Sequence, residues 1–348
     1  MGRALLAALL FGAAIPLAKH LLGAIGPVTL AGLLYLGGAL VTAPAALRAP
    51  RGHPASAPAR RRDSRMLAAA VVFGGIAGPV LMLLGLRNAG AAEVSLLLPL
   101  EMVFTALLGA ALFRDHLGRW GLAGVAAGLA ANLVVAGGGG LPRAAAAALV
   151  AAACLCWALD NHWTARIETM RPAASTFWKC AAAGAFNLLI GLLLDPAFPA
   201  LSAVPIALAC GALAYGVSVS LYVSAAREIG ATRAQALFAA SPLAGVAIAI
   251  AWLGEPFAQR FVPAAALLVI SLWCIGRSRH SHAHAHEEEM HEHEHRHDDG
   301  QHEHEHPGQP GSLRHSHAHC HARVAHAHPH WPDVHHRHAH GARRQDAD

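Results

Sequence analysis

The chain has 348 residues, 55% of them hydrophobic and only 14% charged, with a formal charge of +5. Because 22 of its 26 histidines and most of its polar residues crowd beyond residue 279, the first 276 residues are apolar enough for a membrane, and a soluble globular chain is excluded. The arginines stand in short clusters between apolar runs, with no basic stripe interleaved with aromatics, so no nucleic-acid partner is expected.

A helix needs about twenty apolar residues to cross the hydrocarbon core, and only helices and closed barrels satisfy their backbone groups there. The apolar runs are too long for barrel strands. They predict an all-α polytopic membrane protein with ten transmembrane helices, at 4-22, 28-47, 66-86, 93-113, 120-138, 144-163, 172-194, 204-225, 233-253 and 261-276. The first run follows a positive charge, as a signal peptide does. It has no convincing small-residue cleavage site and more spans follow it, so it is read as a helix that is kept.

Short cytoplasmic loops carry the excess of Lys and Arg. With the N-terminus inside, the loop between the second and third spans holds Arg48, Arg51, Arg60, Arg61, Arg62 and Arg65. Later inside loops hold Arg114 with Arg119, Arg166 with Arg171, and Arg227 with Arg233, against only Lys19, Arg87, Arg143 and Arg260 on the other side. Both termini are therefore expected in the cytosol, in the cell (inner) membrane, with the lipid bilayer as a partner.

The two halves repeat. "LRNAGAAEVSLLLPLEMVFTALLGAALFRDH" (86–116) aligns without a gap on "AREIGATRAQALFAASPLAGVAIAIAWLGEP" (226–256): Arg87 meets Arg227, Gly90 and Ala91 meet Gly230 and Ala231, and Asp115 meets Glu255. Five spans separate each position from its counterpart. An odd number turns one half upside down, the arrangement on which many alternating-access transporters are built.

"WLGEPF" (252–257) resembles the acidic "GE" that closes the fourth helix of each repeat in the EamA branch of the drug/metabolite transporter superfamily. The resemblance covers residues 1–276. In the first half "LFRDHL" (112–117) has Arg114 for the glycine and Asp115 for the glutamate. The resemblance implies ten helices in two inverted five-helix repeats, 1–138 and 144–276, and transport of a small solute, often outward.

Charged groups at membrane depth are costly unless paired or hydrated, which makes each a candidate for the substrate pathway. Glu101 lies near the middle of the fourth span, two residues after Pro99, which removes a backbone donor and kinks the helix. Pro242, beside Ser241, interrupts the corresponding ninth span. Asp160 and Asn161, next to His162, and Lys179 sit at similar depth on adjacent antiparallel helices. There they form either a structural ion pair or a functional site. Asn187, further along the seventh span, either extends this polar lining or bonds to a helix backbone. Asp115 and Glu255 fit helix-end contacts, and Lys19 and His20 are expected to snorkel to the outer surface. Gly74 with Gly78, and Gly124 with Gly128, supply small faces for close helix contact. "GGGG" at 137–140 lacks the Lys-Ser/Thr of a phosphate loop. Five cysteines, Cys154, Cys156, Cys180, Cys210 and Cys274, read as small buried residues.

The core has no metal-ligand spacing, and no cofactor is expected there. The tail, 277–348, is built from His, Glu, Pro and Gly, which cannot form a core, and is expected to be disordered. Its His-x-His runs offer neutral imidazoles to a divalent metal, Ni, Zn or Co, through His282, His284, His286, His291, His293, His295, His302, His304, His306, His317 and His319. The leading reading is a secondary transporter of a small solute by alternating access, directed outward, with a cytosolic metal-binding tail. The alternatives are an exporter of Ni, Co or Zn and a membrane-tethered metal buffer or sensor without transport. An enzyme is not expected, since nothing pairs a nucleophile with a base. A homodimer stays open.

Overall fold

A computed structural model describes residues 2–47, 57–113, 119–136, 140–164, 172–195, 200–229, 241–277, the single positions 167, 170 and 238, and four tail segments, 280–285, 289–295, 315–321 and 325–330. Helix packing separates one unit, Met1–Ser278, from a second, Arg279–Asp348.

The first unit is helical. The elements are α1 (Gly2–Leu21), α2 (Pro27–Leu47), α3 (Ala57–Ala70), a π-helical segment π1 (Val71–Ala77), α4 (Gly78–Asn88), α5 (Ala91–Leu97), α6 (Leu100–Phe113), α7 (Arg119–Ala136), α8 (Gly140–Thr164), α9 (Pro172–Leu194), α10 (Ala203–Gly211), a second π-helical segment π2 (Ala212–Val217), α11 (Ser218–Ile229), α12 (Ser241–Leu253) and α13 (Phe261–Arg277). Among the described residues, seven helical stretches are long and apolar enough to cross a membrane, and three shorter apolar helices, within α7, α12 and α13, lie at the expected fifth, ninth and tenth spans. Large apolar side chains such as Leu40, Leu133 and Trp273 stand exposed on these helices, as contact with lipid requires. The third helix begins well before the expected residue 66, since its first turns are rich in arginine and carry no apolar signal.

The centre is built from Leu30 and Leu34 of α2, Met82, Leu83 and Leu86 of α4, Val94 of α5 and Val150 of α8, all nearly or fully buried. α2 packs along α9, with backbone against backbone: a Cβ on Gly32 would strike Leu188, and one on Gly184 would strike Leu36. α7 packs on α13, α4 on α8, α1 on α12, and α6 on α8. The two expected small-residue faces also make such contacts. Gly74 and Gly78 lie against Asp160 and Trp157 of α8, and Gly128 lies against Val103 and Ser271.

The expected break in the fourth span is visible. Pro99 separates α5 from α6, and the chain crosses the gap through the turn bonds Glu101 N–H to Leu98 O (3.0 Å) and Met102 N–H to Pro99 O (3.0 Å). α12 begins at Ser241 with Pro242 in its first turn.

π1 ends on a bond from Gly78 N–H to Phe73 O, five residues back. The next residue, Pro79, has no N–H to offer the carbonyls one turn earlier. Those carbonyls, Gly74 O and Gly75 O, take side-chain donors instead. Tyr35 Oη (2.5 Å) and Trp157 Nε1 (3.1 Å) donate to Gly74 O, and Asn187 Nδ2 (2.9 Å) donates to Gly75 O.

In the tail unit four short segments are described as strands. Strands β1 (His280–Ala285) and β4 (Ala325–His330) pair antiparallel, as do β2 (Glu289–His295) and β3 (His315–His321). The period of two in His-x-His is also the period of a strand, so pairing needs no change of register.

Candidate functional site

The polar residues expected at membrane depth converge from three elements. Lys179 Nζ of α9 pairs with Asp160 Oδ2 of α8 at 2.7 Å, with the two side chains 18% and 7% exposed. Thr164 Oγ1, one turn on, donates to Asp160 Oδ1 at 2.7 Å. Asn161 Nδ2 donates to Glu101 Oε1 at 2.7 Å, joining α8 to the first turn of α6 immediately after the Pro99 break. The expected ion pair is therefore formed, and Glu101 reaches the same neighbourhood through Asn161. His162 bonds through Nε2 to Thr105 O at 3.1 Å and so sits beside the group.

Asn187 takes the second of its two expected roles, a bond to backbone. It lies two turns along α9 from Lys179 and fills Gly75 O rather than extending the polar group. Sequence reasoning missed Tyr35 and Trp157. Tyr35 ties π1 to α2 and Trp157 ties it to α8, where the absence of a side chain on Gly74 lets the Asp160 carboxylate approach. Tyr35 also packs on Tyr215 of π2, with ring centroids 4.9 Å apart.

A second charged group lies around the C-terminal end of α1. Gly254 ends α12 with φ +67°, the left-handed conformation that favours glycine, and Glu255 N–H turns back to Ala249 O at 3.3 Å. Glu255 thereby faces α5. Its Oε1 and Oε2 accept from Ala91 N–H (2.6 Å) and Ala92 N–H (2.9 Å). This is the helix-end contact expected of Glu255. Lys19 departs from expectation. It does not snorkel away but donates to Leu86 O (2.7 Å), Arg87 O (3.2 Å) and Ala89 O (2.7 Å) at the junction of α4 and α5. Three carbonyls left open at a helix end outweigh the bulk water a long side chain otherwise seeks. Glu93 pairs with Arg260, a contact not foreseen. Asp115 and Arg114 lie outside the described residues.

Among the described residues no three His, Cys, Asp or Glu side chains come together to hold a metal ion. Of the tail histidines, His282 and His284 lie on β1, His291, His293 and His295 on β2, and His317 and His319 on β3. His286, His302, His304 and His306 fall outside the described residues.

A bundle of apolar helices with interrupted spans and a charged group at their interface defines a polytopic membrane protein whose helices contact the lipid bilayer. The chain belongs to the EamA-like transporter family, which matches residues 3–137 and 144–277. It is 30% identical over 207 residues to an uncharacterized transporter of Methanothermobacter thermautotrophicus, and the match takes in 57% of this chain and 60% of that relative. A solved crystal structure of a protein shares the fold, with a TM-score of 0.56 and 20% identity over 79% of this chain and 95% of the other.

Proposed function

We propose that the chain is a secondary transporter that moves a small solute outward by alternating access between two inverted five-helix repeats, 1–138 and 144–276, with both termini cytosolic. The observation that carries this reading is the group Glu101, Asn161, Asp160 and Lys179 at the break in the fourth span. Each side chain there bonds to another side chain, and a solute with polar groups can substitute for such partners. The inverted repeat is supported by two matching distortions. Gly78 N–H bonds to Phe73 O in π1, and Ser218 N–H bonds to Leu213 O in π2, the same offset that aligns Arg87 with Arg227. Packing repeats in the same sense: α1 on α12 corresponds to α8 on α6.

The test compares solutes in the medium of cells making the parent chain with those of cells making Glu101→Gln. A solute exported by the parent and retained in the variant, at equal protein in the membrane, supports the reading. Equal export removes Glu101 from the path. Reporter fusions after residue 276 and within 139–143 should report opposite sides of the membrane, and matching reports would end the inverted-repeat reading.

The tail supports a second reading, in which the solute is a divalent cation. The strand register sets His282 against His328, His284 against His326, His291 against His319 and His293 against His317, so histidine meets histidine along both pairs. A tail tethered at the cytosolic face presents metal to the path at an effective concentration on the order of mM. Cells preloaded with Ni, Co or Zn should then retain less metal with the parent chain than with Glu101→Gln. Removal of 280–348 should raise the load at which efflux begins and leave its maximum unchanged. Equal retention in all three leaves an organic solute as the cargo, and loss of all metal effects on tail removal alone indicates a buffer.

A further inference from the structure

We propose that Glu255 is the latch of a gate at the Lys19 end of the bundle, holding α12 and α13 onto the start of α5, and that the seam behind it becomes wet when the latch releases. This rests on the alternating-access reading and names the device that closes one end.

A helix start leaves its first N–H groups unfilled, and the residue just before it normally supplies the acceptor. Gly90, at that position of α5, has no side chain to do so. The acceptor is Glu255, 164 positions away from Ala91 in the chain. The start of α5 is therefore completed only while the far end of α12 lies against it. Lys19 of α1 fills the carbonyl side of the same break, and Glu93 with Arg260 ties the same two segments a second time. His20 packs on Trp252 alongside, with ring centroids 5.4 Å apart. Every polar bond in this set joins a charged group to a donor or acceptor that water can replace. A cavity of about 380 Å³, lined by Lys19, Asn88, Glu93, Glu255 and Phe261, adjoins it.

Behind the latch, α1, α5 and α12 meet through small residues. A Cβ on Gly12 would strike Ser241 O, and a Cβ on Gly245 would strike Ser95 Oγ. Ser95 is fully buried, and its hydroxyl has no hydrogen-bond partner among the described residues. A dry, unpaired hydroxyl is unfavourable, and an opened, hydrated seam would satisfy it. The contact is close enough to exclude water when shut and has no large side chain to unlock when it opens.

The experiment reads access from both sides with a membrane-impermeant maleimide, against the labelling of the parent chain's own cysteines. Ser95→Cys reports the seam in intact cells, and Thr105→Cys, on the Glu101 face of α6, reports the opposite end in inverted vesicles. Adding Glu255→Ala should raise labelling of Ser95→Cys at least tenfold and lower that of Thr105→Cys several-fold. Arg260→Gln should shift both in the same directions by less, and it decides the matter if Glu255→Ala fails to insert. No rise at Ser95→Cys, or a rise without the fall at Thr105→Cys, makes Glu255 a static helix cap and overturns the latch. Solute flux is not read here, so that failure leaves the Glu101→Gln result of the transport reading untouched, and failure of transport would show in that result instead.

Discussion

The two charged groups of the membrane unit hold their charges differently. At the Lys19 end, Lys19 and Glu255 bond to main-chain carbonyls and amides, whose positions the helices fix, with the side-chain pair of Glu93 and Arg260 beside them. Around Asp160, side chain bonds to side chain, across α6, α8 and α9. A charge on the main chain records where one helix lies against another, whereas a charge on a side chain can change its partner without moving a helix. The first arrangement suits closure and the second suits recognition.

The comparison is tested most severely at Lys179. Lys179→Met leaves the buried Asp160 carboxylate with the Thr164 hydroxyl in place of a counter-charge, and a loss of about 3–5 kcal/mol is expected. The measurement is the thermal unfolding midpoint in detergent, and Lys179→Met combined with Asp160→Asn should recover most of the loss. If the single variant melts with the parent, Asp160 is not held by its partner. Gly74→Ala comes next. Its methyl would strike the Asp160 carboxylate, and overpacking of this kind costs about 1–3 kcal/mol, with Ala at Gly2, where nothing lies near, as the neutral control.

Tyr35→Phe removes one of two donors from Gly74 O and is expected to cost about 1 kcal/mol, since Trp157 remains. Adding Trp157→Phe should cost more than the sum of the two single changes, because the carbonyl is then empty. An additive pair would show that water reaches π1. The smallest effect is expected from Asn88→Ala. Its bond to Leu84 O is exposed, so the stability should stay within about 0.5 kcal/mol of the parent, and a larger fall would mean that the helix end itself, rather than Lys19, holds the α4–α5 junction.

Counting residues from a turn was enough to pair Asp160 with Lys179, and Pro99 was enough to interrupt the fourth span beside Glu101, because both arguments concern neighbours along one or two helices. Glu93 and Arg260 are 167 positions apart, and no local pattern announces such a pair. Lys19 misled because the snorkelling argument looks only at the end of its own helix, whereas its partners are the open carbonyls of another. Tyr35 and Trp157 look like packing residues in an apolar run. The available signal was Pro79 following Gly74, Gly75 and Gly78: a missing donor in a segment of small residues, which says that some other group must fill the carbonyls.

Pro79 also bears on how the length of the third helix can vary. A π turn holds one residue more than an α turn, so π1 takes up an extra residue while α3 and α4 on either side keep their phase. A chain shortened by one residue within 71–77 would still present Met82 and Leu83 to the centre. It would lose the widened turn that brings a glycine backbone up to Asp160, leaving a straight helix that packs correctly and lacks its polar side.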